Sequence, residues 1–296
     1  MHRDTFSQYH PLTNFLFFAG AIGFGVLLEH PGYIMASLIA GCIYYLLLNG
    51  KKGIKFLAAM VPLFLLLTFI NPLFNTQGDT VLLKVFGRPY TLEALLYGGA
   101  VSGVFVNMLI WFGCYNKVLT SDKFTSLFGS LIPSISLLLI MVLRMVPNLL
   151  RKTAQIVGAR KSIGKGVADS ATMKEKILGG GAVLGALTGW ALEGGIITGD
   201  SMRARGYGSA KRTSFMIYRF TVADQVVLAV LLALAATVIG FSLGGSTAAE
   251  YTPTLCIAPI TGKTLPGLLA YSIYLLIPTI LRGKEALQWH ISISRI

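Results

Sequence analysis

Apolar runs separated by short polar breaks set the pattern of this chain from end to end. Leu12–Leu28 carries no charge and closes at Glu29-His30-Pro31-Gly32. Tyr33–Leu48 follows and ends at Asn49-Gly50-Lys51-Lys52-Gly53, after which Ile54–Ile70 runs up to Asn71-Pro72. A polar connector holding Asp79, Lys84, Arg88 and Pro89 leads into Leu92–Cys114, which is entered by Glu93 and left by Lys117. Phe220–Leu243 and Leu265–Leu281 are the remaining long runs. A helix needs about 20 apolar residues to cross roughly 30 Å of hydrocarbon, so these six runs predict transmembrane helices.

The middle of the chain breaks this pattern. Leu127–Val146 is apolar but contains Pro133 and Arg144, and Ile177–Leu192 is short and rich in glycine. Charge argues against counting them as spans, the alternative being a seventh and eighth span with unusual loops. Residues 148–176 hold Arg151, Lys152, Arg160, Lys161, Lys165, Lys174 and Lys176 against Asp169 and Glu175. Residues 200–212 hold Arg203, Arg205, Lys211 and Arg212 against Asp200. Basic loops stay on the cytoplasmic side, and a crossing at Ile177–Leu192 would send one of these segments outside. Keeping 115–219 on the cytoplasmic side avoids that conflict. Three regions result: N-terminal transmembrane helices over 1–114, a cytoplasmic helical domain over 115–219, and C-terminal transmembrane helices over 220–296. Both termini then lie inside, and the weakly charged connectors 71–91 and 244–264 lie outside. The expected fold class is all-α, a polytopic membrane protein with about six transmembrane helices and a cytoplasmic helical domain.

Composition supports the membrane assignment. Of 296 residues, 54% are apolar and only 12% charged, with 33 glycines besides; soluble domains carry about 25% charge. The net charge of +13 reads as cytoplasmic loop charge and not as a nucleic-acid surface. Within the central domain Leu149, Leu150, Thr153, Ile156 and Val157 recur at helical spacing, with Arg151, Lys152 and Gln155 directed elsewhere. Gly99/Gly103 and Gly181/Gly185/Gly189 stand four apart, a spacing that favours close helix approach.

Candidate chemistry is sparse. Gly262-Lys263-Thr264 lacks the glycine a phosphate loop needs at Ile257, and Gly164-Lys165-Gly166 lacks the following hydroxyl. His2, His10, His30 and His290 have no metal-ligand spacing, and Cys42, Cys114 and Cys256 lie far apart. Glu29-His30 reads as a span-end surface position, and Glu193 as the partner of a local Lys or Arg. Two small basic tripeptides stand out: Ala159-Arg160-Lys161 closes the segment 148–158, and Ala204-Arg205-Gly206 closes a second helical stretch and is followed by Tyr207-Gly208. A cation complements a helix C-terminus, and Gly206 suits a left-handed cap. Two such ends also offer planar guanidinium forks to two partner grooves.

These residues resemble the transmembrane T component of energy-coupling factor transporters, ATP-driven importers of vitamins and transition-metal ions. His10-Pro11-Leu12-Thr13-Asn14 is similar to the family's opening His-Pro-Leu-Thr-Lys. Leu143-Arg144-Met145-Val146-Pro147 resembles the arginine–proline stretch before the first coupling motif. Ala159-Arg160-Lys161 takes the first Ala-Arg-Gly position with Lys161 replacing Gly, which leaves Gly158 or Gly164 to supply the local flexibility. Ala204-Arg205-Gly206 matches the second in full, and Tyr207-Gly208 and Lys211-Arg212-Thr213-Ser214 resemble its continuation.

The resemblance implies a non-catalytic scaffold in the cell membrane. Its two coupling helices would insert Arg160 and Arg205 into grooves on two cytoplasmic ABC ATPase subunits, supported by Arg144, Pro147, Tyr207 and Gly208. A membrane-embedded substrate-binding S component would be the third partner. ATP and Mg would sit on the ATPases, with no cofactor on this chain. The competing expectations are an ATPase-independent carrier or channel, which would place ionisable groups inside several spans, and a membrane enzyme using Glu29 or Glu193.

Overall fold

The computed structural model describes residues 5–76, 78, 80–85, 88–120, 123–124, 126–127, 133–166, 172–209, 218–251, 255–262 and 264–293. Outside them fall His2, Asp79, residues 128–132 of the Leu127–Val146 run, Asp169, the Lys211–Ser214 stretch and Lys263. The described elements are, in order, α1 (Thr5–Gln8), α2 (Pro11–Leu27), α3 (Pro31–Asn49), α4 (Lys51–Phe74), β1 (Val81–Val85), β2 (Arg88–Thr91), α5 (Leu92–Val118), α6 (Pro133–Ser162), α7 (Met173–Ala204), α8 (Val222–Leu243), β3 (Ala249–Glu250), β4 (Cys256–Ile257) and α9 (Leu265–Ile293). The chain divides into two compact units, residues 1–124 with 218–296, and residues 125–217.

The protein is an all-α polytopic membrane protein. Six described helices are long and apolar enough to cross a bilayer: α3, α4, α5, α7, α8, and α9 over Leu265–Glu285. The number agrees with the sequence pattern, but the membership differs in two places. α2 stops at 17 residues, about 26 Å at the usual helical rise. α7 qualifies by length and composition, at the lowest hydropathy of the six, 1.2, and carries basic residues at both ends, Lys174 and Lys176 at one and Arg203 at the other.

Local sequence explains the helix starts. His10 and His30 each precede a proline at the first helical position, and each imidazole Nδ1 accepts the amide two residues on, from Leu12 at 3.2 Å and Gly32 at 3.1 Å. Thr172 with Glu175 and Thr221 with Asp224 form reciprocal capping boxes at α7 and α8.

Helix lengths depart from the sequence pattern at prolines. Asn71-Pro72 was expected to stop a helix, yet α4 continues to Phe74 with Pro62 and Pro72 inside. α6 carries Pro133–Val146 and the basic segment after it in one 30-residue helix through Pro147. Each internal proline removes one hydrogen bond of the ladder, and the flanking bonds keep the helix continuous. The connectors 71–91 and 244–264 are not plain coil: β1 pairs antiparallel with β2, and β3 with β4.

In the first unit α5 packs against α3, α4 and α2, and α9 against α8 and α3. Aromatic rings fill the centre. Phe17 lies 5.1 Å from Phe6, 5.5 Å from Tyr274 and 5.8 Å from Trp111 between centroids. Three polar groups inside this core form a chain: Trp111 Nε1 donates to Ser37 Oγ (3.0 Å), which donates to Asn107 Oδ1 (2.8 Å). Lys117 donates to the Leu48 carbonyl (2.8 Å) and Asn49 Oδ1 (2.6 Å), closing the C-terminus of α3 with a cation.

Glycine spacing is realised unequally. Gly103 meets α3, where an added Cβ would stand 2.9 Å from Ile34. Gly99 reaches only Thr68 at 3.9 Å, and the tighter approach is one residue earlier, where a Cβ on Gly98 would stand 2.8 Å from Asn71. Gly181, Gly185 and Gly189 have no described neighbour within 4 Å.

Candidate functional site

The second unit is a pair of packed helices, α6 and α7. Its inner stripe on α6 is Met145, Leu149, Lys152, Thr153, Ile156 and Arg160, all half-buried at helical spacing. Leu149, Thr153 and Ile156 lie on the stripe read from the sequence. Leu150 and Val157 do not: they are 67% and 47% exposed. Lys152, expected to point elsewhere, lies with its Nζ 5.6 Å from the centroid of the Trp190 ring on α7. The long Lys stem covers apolar surface while its ammonium meets the ring face. On α7 the matching half-buried positions include Val183, Leu187, Trp190 and Ala191.

Both helices end in the same cap. At the end of α7, Arg205 is the last quasi-helical residue and Gly206 turns left-handed at φ 78°. The Tyr207 amide reaches back to the Met202 carbonyl and the Gly206 amide to the Arg203 carbonyl, each at 3.0 Å. At the end of α6, Gly164 takes the left-handed turn at φ 73°. There the Lys165 amide bonds the Arg160 carbonyl (2.9 Å) and the Gly164 amide bonds that of Lys161 (3.1 Å). These paired bonds satisfy carbonyls that a helix end otherwise leaves open.

The two tripeptides therefore sit in different registers. Ala204-Arg205-Gly206 spans the cap itself, whereas Ala159-Arg160-Lys161 lies wholly within the last turn and a half of α6. Aligned by their glycines, Lys161 corresponds to Arg203, and Arg205 corresponds to Ile163. Lys161 thus avoids the left-handed position that its Cβ disfavours, and Gly164, not Gly158, supplies it.

Ala159, Lys161, Ala204, Arg205, Gly206, Tyr207 and Gly208 are exposed, and Arg160 is half-buried. The side chains of Arg160 and Arg205 have no hydrogen-bond or ion-pair partner among the described residues. Cations at these ends complement the negative pole of each helix, while their guanidinium forks stay available. From the Lys152–Trp190 contact, Arg160 lies about 12 Å along α6 and Arg205 about 22 Å along α7 at the usual rise. Arg144 is exposed on α6, and Pro147 sits inside that helix.

The N-terminal motif builds a different junction. Asn14 is fully buried and donates through Nδ2 to the Tyr9 carbonyl (3.4 Å). The His10 amide donates to Asp224 Oδ1 (2.7 Å), and the His10 ring stands edge-on to Phe220 at 5.1 Å. Asp224 is only 3% exposed, and its other oxygen accepts from the Thr221 amide (2.9 Å) and hydroxyl (2.6 Å). Sequence reading passed over Asp224; the Thr-x-x-Asp signature at 221–224 is the signal that marks it.

Two carboxylate-side expectations are corrected. His30 is not at the surface but 3% exposed, with Nε2 2.9 Å from the Ala258 carbonyl; because Nδ1 accepts from Gly32, Nε2 is the donor. Glu193 is exposed and makes no ion pair among the described residues. No three described His, Cys, Asp or Glu side chains gather as metal ligands would. Set against known proteins, the chain matches no family model and no curated protein.

Proposed function

We propose that this chain is the non-catalytic transmembrane scaffold of an energy-coupling factor importer. It carries ATP-driven motion of two partner ATPases to a substrate-binding S component, for uptake of a vitamin or other micronutrient. What supports this reading is one observation: two glycine-closed helix ends, each presenting an arginine whose fork has no partner among the described residues. Both belong to one helix pair, so a push on either tip travels through a packed stripe. ATP and Mg are held by the ATPases. The chain lies in the cell membrane, with residues 115–219 and both termini cytoplasmic.

Coupling requires each tip to bind differently in the two nucleotide states, since equal attachment shifts no equilibrium. Arginine suits this because its planar fork fixes geometry as well as charge. Uptake measured with the ATPases and S component present tests the proposal. Arg160→Ala with Arg205→Ala removes about 2–5 kcal/mol of interaction at each tip, so uptake is lost while membrane insertion is kept. Normal uptake by that double variant rejects the coupling role.

A further inference from the structure

The chain leaves its first unit after Phe124 and returns to it at Tyr218, and one short segment, Thr5–His10, grips both crossings. On the outgoing side Lys123 lies just beyond α5 and is buried, 6% exposed. Its Nζ donates to the Val118 carbonyl (3.1 Å), to Ser7 Oγ (2.9 Å) and to the Ser7 carbonyl. The returning side is held by His10, through its amide to Asp224 and its ring against Phe220. Pro11 keeps His10 in extended backbone, at φ −54° and ψ 137°, so its amide stays out of the helical ladders and serves Asp224.

Between the two grips stands a plug. The Phe6 ring is fully buried, 5.1 Å from Phe17 and 6.3 Å from Phe18 between centroids. The Tyr9 amide turns the chain back onto the Phe6 carbonyl (3.3 Å), and the Thr5 hydroxyl donates to Glu285 Oε2 on α9. α1 itself is only four residues long, far below the roughly 12 residues that a helix needs to persist alone. Its order therefore comes from what it holds. Releasing one grip returns conformational freedom to the residues that serve the other, so the two grips support each other.

We propose that Thr5–His10 is a clasp that ties the outgoing and returning crossings into one neck, and that opening it at either side loosens both. The second unit is joined to the first through these two crossings alone. The clasp thus sets whether they move together or separately. It lies wholly within the first unit and does not depend on what Arg160 and Arg205 meet.

Amide exchange on the full chain in lipid nanodiscs tests the link, each grip being read from the opposite side. Lys123→Met removes the ammonium and keeps the stem; the His10 amide should then exchange about fivefold faster, the coupling expected within one bonded network. Asp224→Ala should speed the Phe124 amide, which bonds the Thr120 carbonyl at 3.0 Å, by a similar factor. Ile110→Ala, which opens a cavity beside Gly41 on α3, should leave both amides unchanged. If Lys123→Met or Asp224→Ala does not fold, Phe6→Leu, which loosens the plug, decides on the same two amides and should speed both. The clasp is overturned if Lys123→Met leaves His10 unchanged, or if Asp224→Ala leaves Phe124 unchanged. A response to Ile110→Ala as large as to either grip variant would overturn it too.

Discussion

A left-handed glycine at the end of α6 and of α7 makes a sharp demand on single residues. Any side chain at φ near 75° pays the steric penalty of that region, about 1–2 kcal/mol. Gly206→Ala and Gly164→Ala should each loosen one helix end, seen as faster amide exchange at residues 203–207 and 160–165 respectively. Gly181→Ala should do the opposite, because an added Cβ meets no described neighbour within 4 Å and alanine is the better helix former by about 0.5–1 kcal/mol. Equal exchange at both tips in all three variants would show that the caps do not hold the ends. Asp224 is the other single residue with wide reach. Its carboxylate accepts from His10 and twice from Thr221, so Asp224→Ala should cost about 2–3 kcal/mol, read as a lower thermal midpoint in detergent.

At the scale of elements, the α6–α7 pair rests on a narrow seam with one cation–π contact. Lys152→Met keeps the stem and removes the charge, and should weaken the pair by about 0.5–1 kcal/mol. Trp190 emission in a variant lacking Trp111 and Trp289 would report it, and an unchanged double-mutant cycle with Trp190→Leu would refute the contact. Much at this scale was legible from sequence. Gly206 could be placed as a left-handed cap because a basic last turn followed by glycine has few other solutions. The positions of Leu149, Thr153 and Ile156 followed from periodicity alone. Lys152 did not, because periodicity scores a lysine as polar and ignores its apolar stem. Helix continuity through Pro72 and Pro147 was hidden for a similar reason: proline weakens a helix locally, and only the bonds on either side decide whether it continues.

For the whole molecule, the charge pattern and the helix lengths answer different questions. Length and hydropathy identify segments that are able to cross, and admit α7; basic flanks express which side a segment prefers. Reactivity with a membrane-impermeant thiol reagent separates the two. In a variant with Cys42, Cys114 and Cys256 replaced, Lys165→Cys should be labelled in inverted vesicles and shielded in intact cells. Labelling from outside would place α7 across the bilayer and remove the basis for the coupling proposal. The buried position of His30 lay beyond sequence reasoning, since its partner is the Ala258 carbonyl, 228 residues away. No local pattern reports a contact of that range.

The bond from His10 to Asp224 joins positions 214 residues apart, and this has a consequence for biogenesis. At roughly 5–20 residues per second on the ribosome, α2 waits on the order of ten to forty seconds for the carboxylate that anchors its start. Throughout that interval the early helices are held by their own neighbours and the translocon alone. Truncated nascent chains ending before α8 should therefore leave the start of α2 open to protease, and those ending beyond it should not.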